Sequence, residues 1–152
     1  MKQYLLAVSV LAFSLGLCNV AQAQSARDGL LQPPVTPASE LKYVPLDPKD
    51  TQHVGVMVHV IFGSMDKKGP VAYLARLPAG FSAGMHAHRS DLYITTIKGN
   101  YFEWRKGEPE GEAGGVGGTV FMPANVPHNN RCDAKGGPCL NYAYAPDGFN
   151  KQ

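Results

Sequence analysis

The chain has 152 residues, a formal net charge of +2 and 44% hydrophobic residues. That length suits one domain with a real core and is short for two, the composition argues against disorder, and the small charge without a Lys/Arg cluster argues against a nucleic-acid partner. Seventeen Gly and twelve Pro favour short strands between turns over long helices.

The first 23 residues read as a secretory signal peptide. Lys2 gives the positive start, residues 4–17 are a nearly continuous apolar run, and Ala21 and Ala23 place small residues where signal peptidase cleaves, between Ala23 and Gln24. The run of about 14 residues is short of the ~20 that span a bilayer, so no membrane attachment is expected once it is removed. Leu17 stands before Cys18 where a lipoprotein site needs a small residue. The expected location is therefore periplasmic or secreted. Residues 24–40 are polar and Pro-rich and read as an N-terminal arm or linker.

From residue 41 the pattern is one of strands. Residues 41–46 form a first short candidate, ended by the turn signal of 47–50. Residues 53–62 alternate, with Val54, Val56, Val58, Val60 and Phe62 on one face and His53, Gly55, Met57, His59 and Ile61 on the other. Further strands are expected at 71–77, 86–98, 101–105, 119–122, from 128 onward and at 140–145, with 106–118 a Gly- and Glu-rich hairpin loop. Eight or nine short strands at regular spacing predict an all-β sandwich or barrel. Cys132 and Cys139 remain after export, an even pair in a disulfide-permissive compartment. A disulfide across the turn-like 133–138 is expected, the alternative being thiolate metal ligands.

The chemistry concentrates in His86-Ala87-His88. Two His at i and i+2 of a strand point the same way and can share one metal ion. His128, after the turn 123–127, is the third candidate ligand. Three imidazoles suit Zn, Cu, Ni, Mn or Fe, and an ion with an open position activates water or dioxygen or polarises a carbonyl. His59 is a weaker candidate, since a strand His is more often simply hydrogen-bonded. Glu103 is a candidate general base if it faces inward, and Tyr93, Tyr101, Tyr142 and Tyr144 are candidates for the barrel mouth. Arg76 and Arg89 are candidates for holding an anionic substrate. Each of these has packing or surface charge as its commoner role.

The two His-containing segments resemble the paired motifs of the cupin superfamily. Gly80, His86, His88 and Gly99 fit the spacing of the first motif, and Gly117, Pro123 and His128 fit the second. Asn125 stands for the middle Gly of the second motif, and Asn tolerates left-handed backbone. Cys132 falls near its final Asn. Leu92 occupies the place of the first motif's Glu and cannot ligate, so Asp91, one residue earlier, is carried as an optional fourth ligand, with turn capping as the alternative. Segments such as LARLPAGFSAGMHAHRSDLY and PANVPHNNRC, and the ending PDGF, are similar to small cupins of the ChrR-like subgroup.

The resemblance covers nearly the whole chain after residue 41. It implies a cupin-type double-stranded β-helix, a jelly-roll barrel, over residues 41–150. It also implies a divalent transition metal on His86, His88 and His128, a small-molecule ligand or substrate, and a homodimer. The sharpest functional expectation is a metal-dependent, dioxygenase-like oxidoreductase with Glu103 and Tyr93 as candidate catalytic groups. The competing expectations are a non-catalytic metal- or ligand-binding or sensing protein, and a barrel serving only as an interaction scaffold.

Overall fold

The computed structural model describes residues 35–149 apart from 48 and 50–52. The expected signal peptide, and the arm as far as residue 34, lie outside the described residues. Ala38–Glu40 is a single 3-10 turn. Among the described residues eight strands follow: β1 Val44–Pro45, β2 Met57–Phe62, β3 Val71–Leu77, β4 Leu92–Lys98, β5 Tyr101–Arg105, β6 Thr119–Met122, β7 His128–Cys132 and β8 Cys139–Ala145.

Six of them form one antiparallel sheet in the order β1-β2-β3-β8-β4-β6, and β5 pairs with β7 in a second sheet. Non-sequential neighbours such as β8 between β3 and β4 are what a jelly roll requires. The loop before β4 runs antiparallel along β7. Ser82 bridges Arg131 and His86 bridges His128, while Gly80 N–H donates to the Cys132 carbonyl at 3.1 Å and Ala83 N–H to that of Asn130 at 3.0 Å.

The core lies between the sheets, and alternation decides who enters it. In β8 every second residue is buried, namely Cys139, Asn141, Ala143 and Ala145. Ala143 stands between Tyr73 of β3 and Ile94 of β4 in the ladder, so a small side chain on the central strand leaves room for two large ones. Val58 of β2 and Val71 of β3 are 1% and 0% exposed, and each stabilises the fold by about 1.5–3 kcal/mol through burial.

Three strands are shorter than expected. Of the one expected at 86–98 only Leu92–Lys98 is a strand, and His86 and His88 lie on the loop before it, His86 joined to His128 by an isolated bridge. The other two departures have local causes. Only Val44–Pro45 of the first candidate pairs, with Met57 and Val58. The segment before Met57 is a turn with Gly55 at φ 83°, so strand parity fails there. Val54 is 70% exposed while His53, expected on the other face, is buried. At the other end of β2 the register shifts between Val60 and Phe62. This bulge turns Phe62 outward against Tyr144, with ring centroids 6.2 Å apart.

Candidate metal centre

His86 and His88 stand on the loop ahead of β4, and His128 opens β7. Backbone pairing brings them together. His86 N–H donates to the His128 carbonyl at 2.9 Å, His128 N–H to the His86 carbonyl at 2.8 Å, and Asn125 N–H to the His88 carbonyl at 2.7 Å. The last bond comes from a turn in which Asn125 sits at φ 62°, the left-handed geometry expected of the residue that stands for a motif glycine. The three rings are 8%, 6% and 0% exposed. One donor atom from each lies within 4.8 Å of the other two.

The carbonyls around the rings decide which nitrogen is available. His86 Nδ1 is 2.9 Å from the Gly84 carbonyl and His128 Nδ1 is 2.8 Å from that of Val126. A carbonyl only accepts, so each Nδ1 carries the proton and each Nε2 keeps its lone pair. Burial lowers the His128 pKa, an effect the Val126 carbonyl partly opposes, and this favours the neutral, ligating imidazole.

A carboxylate completes the surroundings. Glu103 of β5 faces inward with its side chain 1% exposed, and its Oε1 is 3.7 Å from His128 Nε2. Neither atom makes a hydrogen bond with another protein group. Tyr101 Oη–H donates to Glu103 Oε2 at 2.7 Å. Burial raises the Glu103 pKa to about 7 against the opposing pull of the Tyr101 hydrogen bond. Burial, with the charge of Glu103, also holds the Tyr101 phenol well above its ordinary value.

Beside the histidines is a cavity of about 60 Å³. Its walls are largely aliphatic and aromatic, with His53, Tyr73, His86, Tyr101, Asn130 and Asn141 as polar points and no Asp, Glu, Lys or Arg among the lining residues.

No family model and no curated protein matches the sequence. Solved structures do match the fold. The polyketide cyclase RemF of Streptomyces resistomycificus superposes with a TM-score of 0.61 at 16% identity, over 76% of this chain and 80% of that one. A cupin-2 domain protein of Rhodospirillum rubrum gives 0.60 at 13% identity, over 80% of each chain. This chain has the cupin fold. The DMSP lyase DddQ of Ruegeria pomeroyi adds a third likeness, with a TM-score of 0.56 at 17% identity over 83% of this chain and 87% of that one. At such identities the likeness is one of fold, and it does not narrow the chain to the ChrR-like subgroup.

The donor set of this cupin barrel fits a divalent transition ion. It offers three buried imidazoles with at least two Nε2 lone pairs fixed by tautomer; the Glu103 carboxylate stands 3.7 Å from His128 Nε2 and lies outside that group. The expected disulfide is present between Cys132 and Cys139, with Cα atoms 5.8 Å apart, so these sulfurs are not ligands.

The other sequence candidates fall elsewhere. Asp91 is not in the histidine group. Its Oδ1 accepts from Ala124 N–H at 2.8 Å, so the carboxylate caps the turn that leads to His128. Tyr93, a candidate catalytic group, is 45% exposed on the outer face of β4, because the buried neighbours Leu92 and Ile94 take the inward positions. Its ring packs on Phe121 at 4.9 Å. Tyr142 and Tyr144 alternate with the buried residues of β8 and face outward as well. His59 Nδ1 bonds the Lys42 carbonyl, Arg76 stacks on Tyr43, and Arg89 is exposed.

His53 is the residue that sequence reasoning missed. It lines the cavity with its ring 5.5 Å from that of His86. The only signal was a turn-forming Gly55 close behind it.

Proposed function

We propose that this chain is an exported, metal-dependent cupin enzyme that acts on a small, largely apolar molecule, with dioxygen chemistry as the reaction class. The observation that carries the reading is the cluster of three buried imidazoles with donors within 4.8 Å beside an apolar cavity. His86, His88 and His128 hold the ion. When bound, the ion supplies Lewis acidity or, for iron or copper, redox reactivity toward dioxygen. The chain's own groups do the rest. The aliphatic wall excludes water and takes the apolar body of the substrate, and Asn130, Asn141 and His53 orient its polar group. No Lys or Arg is among the cavity's lining residues, Arg76 and Arg89 included, so a bound ion is the positive charge that the substrate's polar group would meet. Export is supported by the Cys132–Cys139 bridge, which persists in an oxidising compartment.

The small cavity supports a second reading, a non-catalytic protein that binds a metal or small ligand, since a space of about 60 Å³ holds only a few heavy atoms. One experiment separates the two. The protein is purified without a histidine tag, its metals are analysed, and oxygen uptake is followed for iron- and copper-loaded samples with small phenols, enols and ketones. Uptake that depends on both metal and substrate supports the enzyme. Stoichiometric metal without turnover of any tested compound supports the binder. Absence of metal after reloading with each candidate ion would falsify the enzyme and the metal binder, and leaves a small-ligand binder as the reading to test.

A further inference from the structure

We propose that Phe149 is the wall that sets the size of molecule the cavity accepts, held in place by an anchored turn that follows β8. The proposal rests on the small-molecule reading above and adds to it the residue that decides which molecules fit.

β8 ends at Ala145, and Pro146 and Asp147 form a turn directly after it. Two contacts anchor that turn. Asp147 N–H donates to Ser90 Oγ at 3.1 Å, and Ser90, 2% exposed, lies two residues beyond His88. Gly148 is buried at φ 96° against the loop between β2 and β3. A Cβ at Gly148 would stand 2.6 Å from the Lys67 carbonyl oxygen, closer than real Cβ atoms come. Both the backbone angle and the close approach call for Gly.

The anchored turn delivers one large side chain. The Phe149 ring lies 5.1 Å from the His88 ring and meets the Tyr73 ring edge-on at 5.6 Å. It lines the cavity. It is only partly buried, whereas Tyr73, Leu92, Ile94 and Ala143 of the same lining are buried. The ring therefore stands between the cavity and the outside, on the side where His88 enters. Phe81, another partly buried ring of the lining, packs instead on His53 at 5.9 Å.

A space of about 60 Å³ leaves little slack. In a pocket packed like a protein interior, one methylene more or less changes discrimination by about 10–200-fold, and a phenyl ring is several such groups. Phe149 belongs to no strand, so removing its ring enlarges the cavity without breaking a sheet ladder. It carries no ligating atom, so the imidazole donors stay as they are.

The test is equilibrium binding of phenol and 1-naphthol to zinc-loaded and metal-free protein, with zinc affinity by chelator competition on the same samples. The proteins are wild type, Phe149→Ala, Phe149→Leu, Gly148→Ala and Phe62→Ala. Phe149→Ala is expected to raise the affinity ratio of 1-naphthol to phenol by about 10-fold or more, and Phe149→Leu by less. Gly148→Ala, which displaces the mount and keeps the ring, is expected to move the ratio the same way. Phe62→Ala, on the outer face, is expected to leave it alone, and all four variants are expected to hold zinc as wild type does. Where Phe149→Ala does not fold, Phe149→Leu decides.

A wild-type ratio in folded Phe149→Ala or Phe149→Leu overturns the proposal, and zinc retained in those samples leaves the metal reading standing. A shifted ratio in protein that never takes up zinc supports the wall and dismisses the metal site. Binding of neither probe by wild type or any variant overturns the proposal together with the small-molecule reading.

Discussion

At the scale of single residues, Glu103 sets the pH behaviour of the metal-free protein. Burial lifts its pKa from 4.5 to about 7, so between those values the folded chain holds a proton that the unfolded chain has released. Stability from this group is complete below pH 4.5, declines as pH rises toward 7, and is gone above it. The loss is about 3 kcal/mol. Urea denaturation of the chelator-treated protein at pH 4.5 and pH 8 is expected to show this decline, and Glu103→Gln to remove most of it. The inward direction of Glu103 follows from its being two residues from buried Tyr101, and the three histidines were legible because a period of two fixes a common face for His86 and His88. Tyr93 was not placed, because choosing the inner face of β4 needs the knowledge that Leu92 is buried. His53 was not placed because a turn, where no period holds, separates it from β2.

At the scale of elements, the turn 123–127 is what delivers His128. Asp91 holds that turn through Ala124 N–H, a bond from ahead of β4 to the stretch before β7. Asp91→Ala is expected to destabilise the protein by about 1–2 kcal/mol and to weaken zinc binding by a smaller factor than His128→Ala, measured by urea denaturation and chelator competition. The disulfide works at the other end of β7. It closes a loop with a sequence separation of 7, and replacing both Cys132 and Cys139 by Ser is expected to cost about 2.5 kcal/mol in the chain-entropy account. Three strand spans were readable without adjustment, β3, β5 and β6, since each is bounded by Gly or Pro. The bulge in β2 was not readable, because nothing in HVIF marks where the register shifts.

At the scale of the whole molecule, the barrel was legible from regular turn spacing and two histidine segments, and the way its outer face is finished was not. Across that face Phe62, Tyr144, Tyr93 and Phe121 form a row of neighbouring rings with centroids 4.9–6.2 Å apart, and Phe62, Tyr93 and Phe121 are each nearly half exposed. This row supports the homodimer that the sequence resemblance implies. Light scattering is expected to give twice the chain mass for wild type and the single mass for a Tyr93→Glu/Phe121→Glu variant, while a monomeric wild type would dismiss the idea.

The reciprocal amide–carbonyl bonds between His86 and His128 have a kinetic consequence. These bonds tie the backbones of the two histidines rung to rung, so no loop movement carries one away from the other while the rung is closed. In the metal-binding reading proposed above, exchange of the ion is expected to follow local opening of that rung. Deuterium exchange at the amides of His86 and His128 is expected to keep time with release of the ion, and both are expected to quicken together when the bridge behind β7 is reduced.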